Sequence, residues 1–301
     1  MLKVLDLVPF RLSLDDGAEA ARRTMRDLPR RPVHPDMPTE DRVIDGPGGD
    51  LPIRIYRPAG ISADAAPVIV FFHGGGFVAG DLDTHDGTAR MHAGDVGAVV
   101  VSVDYRLAPE HPFPAAVQDA MAATEWVAAH AAKLGVDPAR LAVAGDSAGG
   151  NLAAVVCQLA RDAGGPAIAF QLLWYPATSY DGSLPSFTEN ADAPIIDSAA
   201  IAALTLAYAG NVDLADPPAT LAPARAADLA GLPPAYIAVA GHDPLRDDGI
   251  RYGELLAAAG VPVQVHNAET LIHGYLGYAG VIPSATEATA RGLAALRAAL
   301  A

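Results

Sequence analysis

From Leu51 to the C-terminus, apolar runs of strand length alternate with longer helical patterns. Such an alternation is met by a mostly parallel sheet covered by helices on both faces. The expected strands are Leu51–Arg57, Val68–His73, Ala98–Asp104, Leu141–Gly145, Ile168–Tyr175, Tyr236–Gly241 and Val261–His266. The expected helices include Ala115–Lys133, Ala148–Asp162, Arg246–Ala259 and Glu287–Leu300. Leu51–Arg57 alternates apolar with polar residues, which suits an antiparallel edge strand. A chain of 301 residues can bury one large core, so a single α/β domain spanning residues 1–301 is the simplest organisation.

Two segments stand outside the alternation. Residues 1 to about 45 are charged and helical in pattern, with Arg30-Arg31-Pro32 near their end. Residues from about 180 to 222 carry Gly182, Pro185 and Pro194, then an alanine-rich helix, then Pro217-Pro218. The second segment falls where insertions above the carboxyl edge of a parallel sheet form lids. Together the two are expected to make a helical cap; ordinary surface helices are the alternative.

Composition narrows the function. Hydrophobic residues make up 51% and charged residues 18%, which argues for an ordered globule. Twenty basic against 35 acidic residues, a formal charge of -15, exclude nucleic acid and anionic membrane surfaces as expected partners. Cys157 is the sole cysteine, so no intrachain disulfide can form, and it reads as a small buried residue on a helix. The first 16 residues are broken by Asp6, Pro9 and Arg11, which leaves no signal-peptide core. Since no apolar run reaches about 18 residues, no membrane span is expected, and a cytoplasmic protein is.

Chemistry enters with Gly145-Asp146-Ser147-Ala148-Gly149, a G-x-S-x-G pentapeptide between an apolar strand and a helix. At such a turn the serine hydroxyl is exposed, and the helix amides behind it favour developing negative charge. Serine needs a base, and nine histidines compete. His73 belongs to a glycine loop, His85, His92 and His130 lie upstream of the nucleophile, and His266 ends a strand. His273 lies in a loop after the last expected strand, where an imidazole can reach over the sheet edge. Asp243 directly follows the strand before it, with Pro244 behind. Its rivals Asp247 and Asp248 sit in the first turn of a helix, whose N-terminus they are expected to stabilise. Ser147, Asp243 and His273 occur in the order an α/β-hydrolase requires. His73-Gly74-Gly75-Gly76 is a loop of the kind that supplies amides to an oxyanion, joined by the amide of Ala148.

Phe71-Phe72-His73-Gly74-Gly75-Gly76-Phe77, Gly80-Asp81-Leu82-Asp83-Thr84-His85-Asp86, Tyr105-Arg106-Leu107-Ala108-Pro109-Glu110 and Gly145-Asp146-Ser147-Ala148-Gly149-Gly150-Asn151 resemble the bacterial hormone-sensitive-lipase-like esterases. Asp243-Pro244-Leu245-Arg246-Asp247 and His273-Gly274 match the acid and base motifs of that family. The resemblance runs from about residue 40 to the C-terminus. It implies an α/β-hydrolase fold with Ser147 as nucleophile, His273 as base, Asp243 as its orienter, and Gly75, Gly76 and Ala148 as oxyanion-hole donors. Tyr275 departs from the phenylalanine many members carry there, so a hydroxyl is expected to alter substrate contacts. Arg106 and Glu110 are expected to pair and fix their loop, and Trp174-Tyr175-Pro176 to pack in the core.

The implied reaction is hydrolysis of a carboxylic ester with a short to medium acyl chain, through an acyl-enzyme and without metal or organic cofactor. A neutral imidazole base makes activity rise with pH through about 6 to 7. The same triad can cleave amides or thioesters, and a fold with an incomplete triad can serve as a small-molecule receptor. The apolar C-terminal helix has two readings, a homodimer contact or a cover for its own sheet.

Overall fold

The computed structural model describes residues 10–61 and 65–301. Eight strands form one sheet in the order β1-β2-β4-β3-β5-β6-β7-β8. They are β1 Thr39–Gly46, β2 Gly49–Tyr56, β3 Ala66–Phe72, β4 Val99–Val103, β5 Val136–Asp146, β6 Phe170–Trp174, β7 Ala235–His242 and β8 Val263–Ile272. β2 runs antiparallel to β1 and β4; every other pairing is parallel.

All seven expected strands are present, but β2 is not the edge. β1 pairs outside it through a tight hairpin that closes at Gly46 and Gly49. The polar sequence of β1 hid it. Only Ile44 is buried among its residues, and the other side chains face solvent or the rim. Residues 39–46, assigned in the sequence to a helical cap, therefore belong to the sheet. Of the remaining N-terminal stretch, residues 1–9 lie outside the described residues.

Helices cover both faces, as the alternation demands. Along β3, Val68, Val70 and Phe72 point to one core, and Ile69 and Phe71 to the other. The first core is closed by Ala115–Ala129, Ala148–Ala163 and Arg246–Ala258, the second by Asp86–Val96 and Pro283–Ala299. The helix Asp86–Val96 escaped the sequence reading. Its buried residues Ala89, Met91, His92, Ala93 and Val96 give no clean apolar stripe. The C-terminal helix covers its own sheet, with Leu293 and Leu296 buried against it. Cys157 is buried on its helix, where desolvation pushes the thiol up. No helix among the described residues is long and apolar enough to cross a membrane.

The strand order fixes where ligands gather. The chain leaves β3 toward β4 on one side, while β5 lies on the other, so the outgoing connections part between β3 and β5. Phe72 registers with Gly145 across that boundary. The glycine loop after β3 and the Ser147 turn after β5 are thereby neighbours at the carboxyl edge.

Candidate active site

Ser147 sits between the last residue of β5 and the first of the helix Ala148–Ala163, with φ 56° and ψ −115°. A non-glycine residue there is strained by about 1 to 3 kcal/mol, and persists only when its surroundings dictate it. Here they do. Ser147 N–H donates to the Trp174 carbonyl at 2.8 Å, and its carbonyl accepts from Asn151 N–H at 3.1 Å. A Cβ at Gly149 would overlap the Phe72 carbonyl, and one at Gly145 would overlap Gly149. Glycine on either side is the condition for β3, β5 and the helix to meet at the serine.

His273 stands at the end of β8 and Asp243 just past the end of β7. His273 Nδ1 lies 2.7 Å from Asp243 Oδ2, and Nε2 lies 2.9 Å from Ser147 Oγ. A carboxylate only accepts, so Nδ1 donates to it and Nε2 is left to accept the serine proton. Asp243 is fully buried, and its other oxygen accepts Leu245 N–H at 2.8 Å. The Tyr175 ring lies 4.7 Å from the imidazole and limits how it can swing.

Beyond β3 the glycine loop turns back on itself, with Val78 and Ala79 N–H both bonded to the Gly75 carbonyl. The Gly75 and Gly76 N–H groups take no protein acceptor among the described residues. Ala148, as the first helical residue, likewise has its N–H free of the helix ladder. The structure thus brings Ser147, Asp243 and His273 together at one edge, beside the loop of Gly75 and Gly76.

Several expectations are corrected. Arg106 does not pair with Glu110. It makes a fork on Asp119, Nε to Oδ2 and Nη2 to Oδ1 both at 2.8 Å. Asp119 is buried on the helix Ala115–Ala129 and needs a charged partner, whereas Glu110 is exposed. Glu110 instead takes Arg22, at 2.9 and 2.6 Å, which holds its carboxyl down at about 2. Asp247 and Asp248 do more than stabilise a helix end. Asp248 is fully buried and accepts Thr178 N–H at 2.7 Å, Ser179 N–H at 2.8 Å and both hydroxyls of that pair. Asp247 accepts Ser186 N–H at 2.9 Å. Tyr275 faces no substrate space. It is fully buried against Trp174 and Tyr175, and its hydroxyl has no partner among the described residues. Trp174 packs in the core as expected, donating from Nε1 to His92 Nε2 at 3.0 Å.

Residues that sequence reasoning passed over attach the outer segments. Asn151 Nδ2 donates to the carbonyls of Ala177 and Leu221, both at 2.8 Å, and so gathers the two ends of the 180–222 stretch. In that stretch the helix Ser198–Ala209 sets Leu204 directly on Gly76, and Ile195 lies beside Gly274. Leu12 N–H donates to the Ile195 carbonyl at 2.7 Å, and Arg11 pairs with Asp197. From the N-terminal helix Ala18–Arg26, Arg22 donates to the carbonyls of Val78 and Ala108 at 2.8 and 2.9 Å. Contacts to main-chain carbonyls leave no trace in composition or spacing. Only Asn151, inside the quoted motif, carried a signal.

The model of the alpha/beta hydrolase fold family matches residues 69–277. The chain is 68% identical over 298 residues to Esterase LipI of Mycobacterium tuberculosis, covering 99% of this chain and 93% of that protein. It belongs to the hormone-sensitive-lipase-like esterases of the α/β-hydrolase fold. To Carboxylesterase NlhH of the same species it is 55% identical over 302 residues, covering 99% and 94%. The solved Pyrobaculum calidifontis esterase superposes with a TM-score of 0.88 at 38% identity, covering 99% of this chain and 98% of that one. As a member of this esterase family the protein is a hydrolase.

Proposed function

We propose that the protein is a carboxylesterase that hydrolyses short- to medium-chain esters through a Ser147–His273–Asp243 triad. The observation that carries this reading is the unbroken run from Asp243 Oδ2 through both imidazole nitrogens to Ser147 Oγ, at 2.7 and 2.9 Å. In the first half-reaction His273 Nε2 takes the serine proton as Oγ attacks the ester carbonyl. The carbonyl electron pair moves onto its oxygen, which the amides of Gly75, Gly76 and Ala148 receive. Asp243 stabilises the imidazolium and holds its orientation. Collapse expels the alcohol, which takes the proton from His273. Water then repeats the sequence on the acyl-enzyme. Each amide donor to an oxyanion is worth about 3 to 4 kcal/mol, or 10²- to 10³-fold in kcat.

Residues 10–38 and 180–222 form the cap in this reading. Leu204 over Gly76 and Ile195 beside Gly274 support it, since both apolar side chains border the reacting centre.

Hydrolysis of p-nitrophenyl esters from acetate to palmitate by wild type and Ser147→Ala tests the proposal. Activity peaking at short or medium chains and lost at least 10⁴-fold in the variant is the expected result. A folded wild type inert on the whole series redirects the triad to amides or thioesters.

A further inference from the structure

A second carboxylate and imidazole stand behind the glycine loop, and the mechanism above does not use them. Asp146 precedes Ser147 and is buried. Its Oδ1 accepts Gly74 N–H at 3.0 Å and faces His85 Nε2 at 3.7 Å. The fit is close, since a Cβ at Gly74 would overlap Asp146 Oδ2. His85 is itself held, with Nδ1 3.1 Å from Thr84 Oγ1, in a turn locked by Asp81 and Thr84 N–H groups at 2.7 Å each. The other side of the loop is equally fixed. The His73 ring stacks on Tyr105 at 4.3 Å, and Tyr105 Oη–H donates to the His73 carbonyl at 2.6 Å. Burial works against the charge of Asp146, yet His85, His73 and the Gly74 N–H keep its carboxyl below the usual carboxylate range.

Gly74 is the residue before the two proposed donors. Rotation about its ψ, or the next φ, turns the Gly75 amide away from the serine, and glycine itself offers little resistance. The Gly74 N–H bond to Asp146 fixes the 73–74 peptide, and His73 Nδ1, 2.8 Å from the Gly74 carbonyl, fixes the 74–75 peptide that carries the Gly75 amide; preorganised donors of this kind cost no reorganisation during reaction. We propose that Asp146, backed by His85, is a positioning residue: its carboxylate holds Gly74 so that the Gly75 and Gly76 amides point at the developing oxyanion. It touches no substrate atom and acts only through the loop. The inference rests on the assignment of Gly75 and Gly76 as oxyanion donors.

The test compares Asp146→Leu, which removes the acceptor at similar volume, with Asp146→Asn, which retains an oxygen for Gly74 N–H. Each is assayed for kcat and KM on p-nitrophenyl butyrate. Each is also titrated with an alkyl trifluoromethyl ketone, whose adduct on a serine carries an oxyanion. Expected for Asp146→Leu is a fall in kcat of about 30-fold, KM within twofold, and trifluoromethyl ketone inhibition weakened about 30-fold. Asp146→Asn is expected to recover kcat to within about fivefold of wild type. A folded Asp146→Leu with kcat and inhibition within twofold of wild type overturns the proposal. So does an Asn variant as impaired as the Leu variant. If Asp146→Leu does not fold, Asp146→Ala reads the same two quantities without apolar bulk. Ser147→Ala is run alongside. If it keeps activity, the triad reading has failed; if it is dead while the Asp146 variants are unimpaired, only the positioning role has.

Discussion

The floor of the candidate site and its proposed cover are built differently. Ser147, Asp243 and His273 each follow the end of a strand of the sheet, and the hydrogen bonds among them are internal. The proposed cover packs into the core through Leu204 and Tyr208, and its margins are held by an Arg22 fork on exposed Glu110, an exposed Arg11 on Asp197 and a buried Asn151 amide on two carbonyls. Exposed ion pairs contribute about 0 to 1 kcal/mol each, whereas a buried donor deprived of its acceptor costs about 1 to 3. In the proposed reading, the chemistry stands at buried strand ends, while the exposed ion pairs at the margins of the cover are individually weak.

Changing the floor alone gives the largest expected effect. Asp243→Asn leaves shape and packing intact but presents the wrong partner to His273 Nδ1. A loss of about 10⁴-fold in kcat is expected with unchanged urea unfolding. A variant keeping a tenth of wild-type kcat breaks the distinction, because the floor would then be no stricter than the cover. The second prediction concerns the joint between the two regions. Asp248→Ala strands the buried Thr178 and Ser179 amides where the cover leaves the sheet. Urea titration is expected to show about 3 kcal/mol lost, against less than 1 for Arg11→Ala.

The third prediction uses pH. Burial first, then the neighbouring Asp81 and Asp83 carboxylates, push Asp104 up to about 6. The folded state therefore binds its proton more tightly than the unfolded chain does. That contribution to stability is complete below about pH 4 and disappears as pH rises through 6. At pH 8, then, Asp104→Asn is expected to be more stable than wild type by about 1 to 2 kcal/mol. The gap should close by pH 4 in parallel urea titrations. A gap independent of pH rules out relief of the buried charge as its source. The smallest effect tests the packing of the floor. Tyr275→Phe removes a buried hydroxyl that has no partner among the described residues, so a gain of up to about 1 kcal/mol and unaltered kcat are expected. A loss of stability on calorimetry would mean that the hydroxyl is satisfied in solution.

The same contrast governs what the sequence discloses. Strands buried on both faces, such as Val99–Val103, read as apolar runs, and the residues that follow them inherit a position at the sheet edge. That is why Ser147 and Asp243 stand out in one sequence, while His273 follows the largely exposed edge strand β8, and its ring lies 2.7 Å from Asp243 and 2.9 Å from Ser147. β1 was missed because an edge strand with Ile44 alone buried has no such run. The role of Asp248 is not legible, because nothing local distinguishes a carboxylate that serves its own helix from one that reaches to residues 178 and 179. Arg106 has Glu110 four residues away, yet pairs with Asp119, since burial and not sequence proximity decides which acid must be neutralised.

The crossing from Trp174 to Ala235 has a consequence for how such a chain changes over evolutionary time. Between two adjacent parallel strands it inserts about sixty residues, most of them in the proposed cover. The entropy of closing a loop grows only logarithmically with length, so doubling this excursion adds about 0.6 kcal/mol. Because Asn151 and Gln158 tie down the returning ends at Ala177, Leu221 and Pro223, a segment between those anchors is exchangeable as a cassette. In the proposed reading, new covers, and with them new substrate ranges, are open to selection at little expense to the sheet beneath.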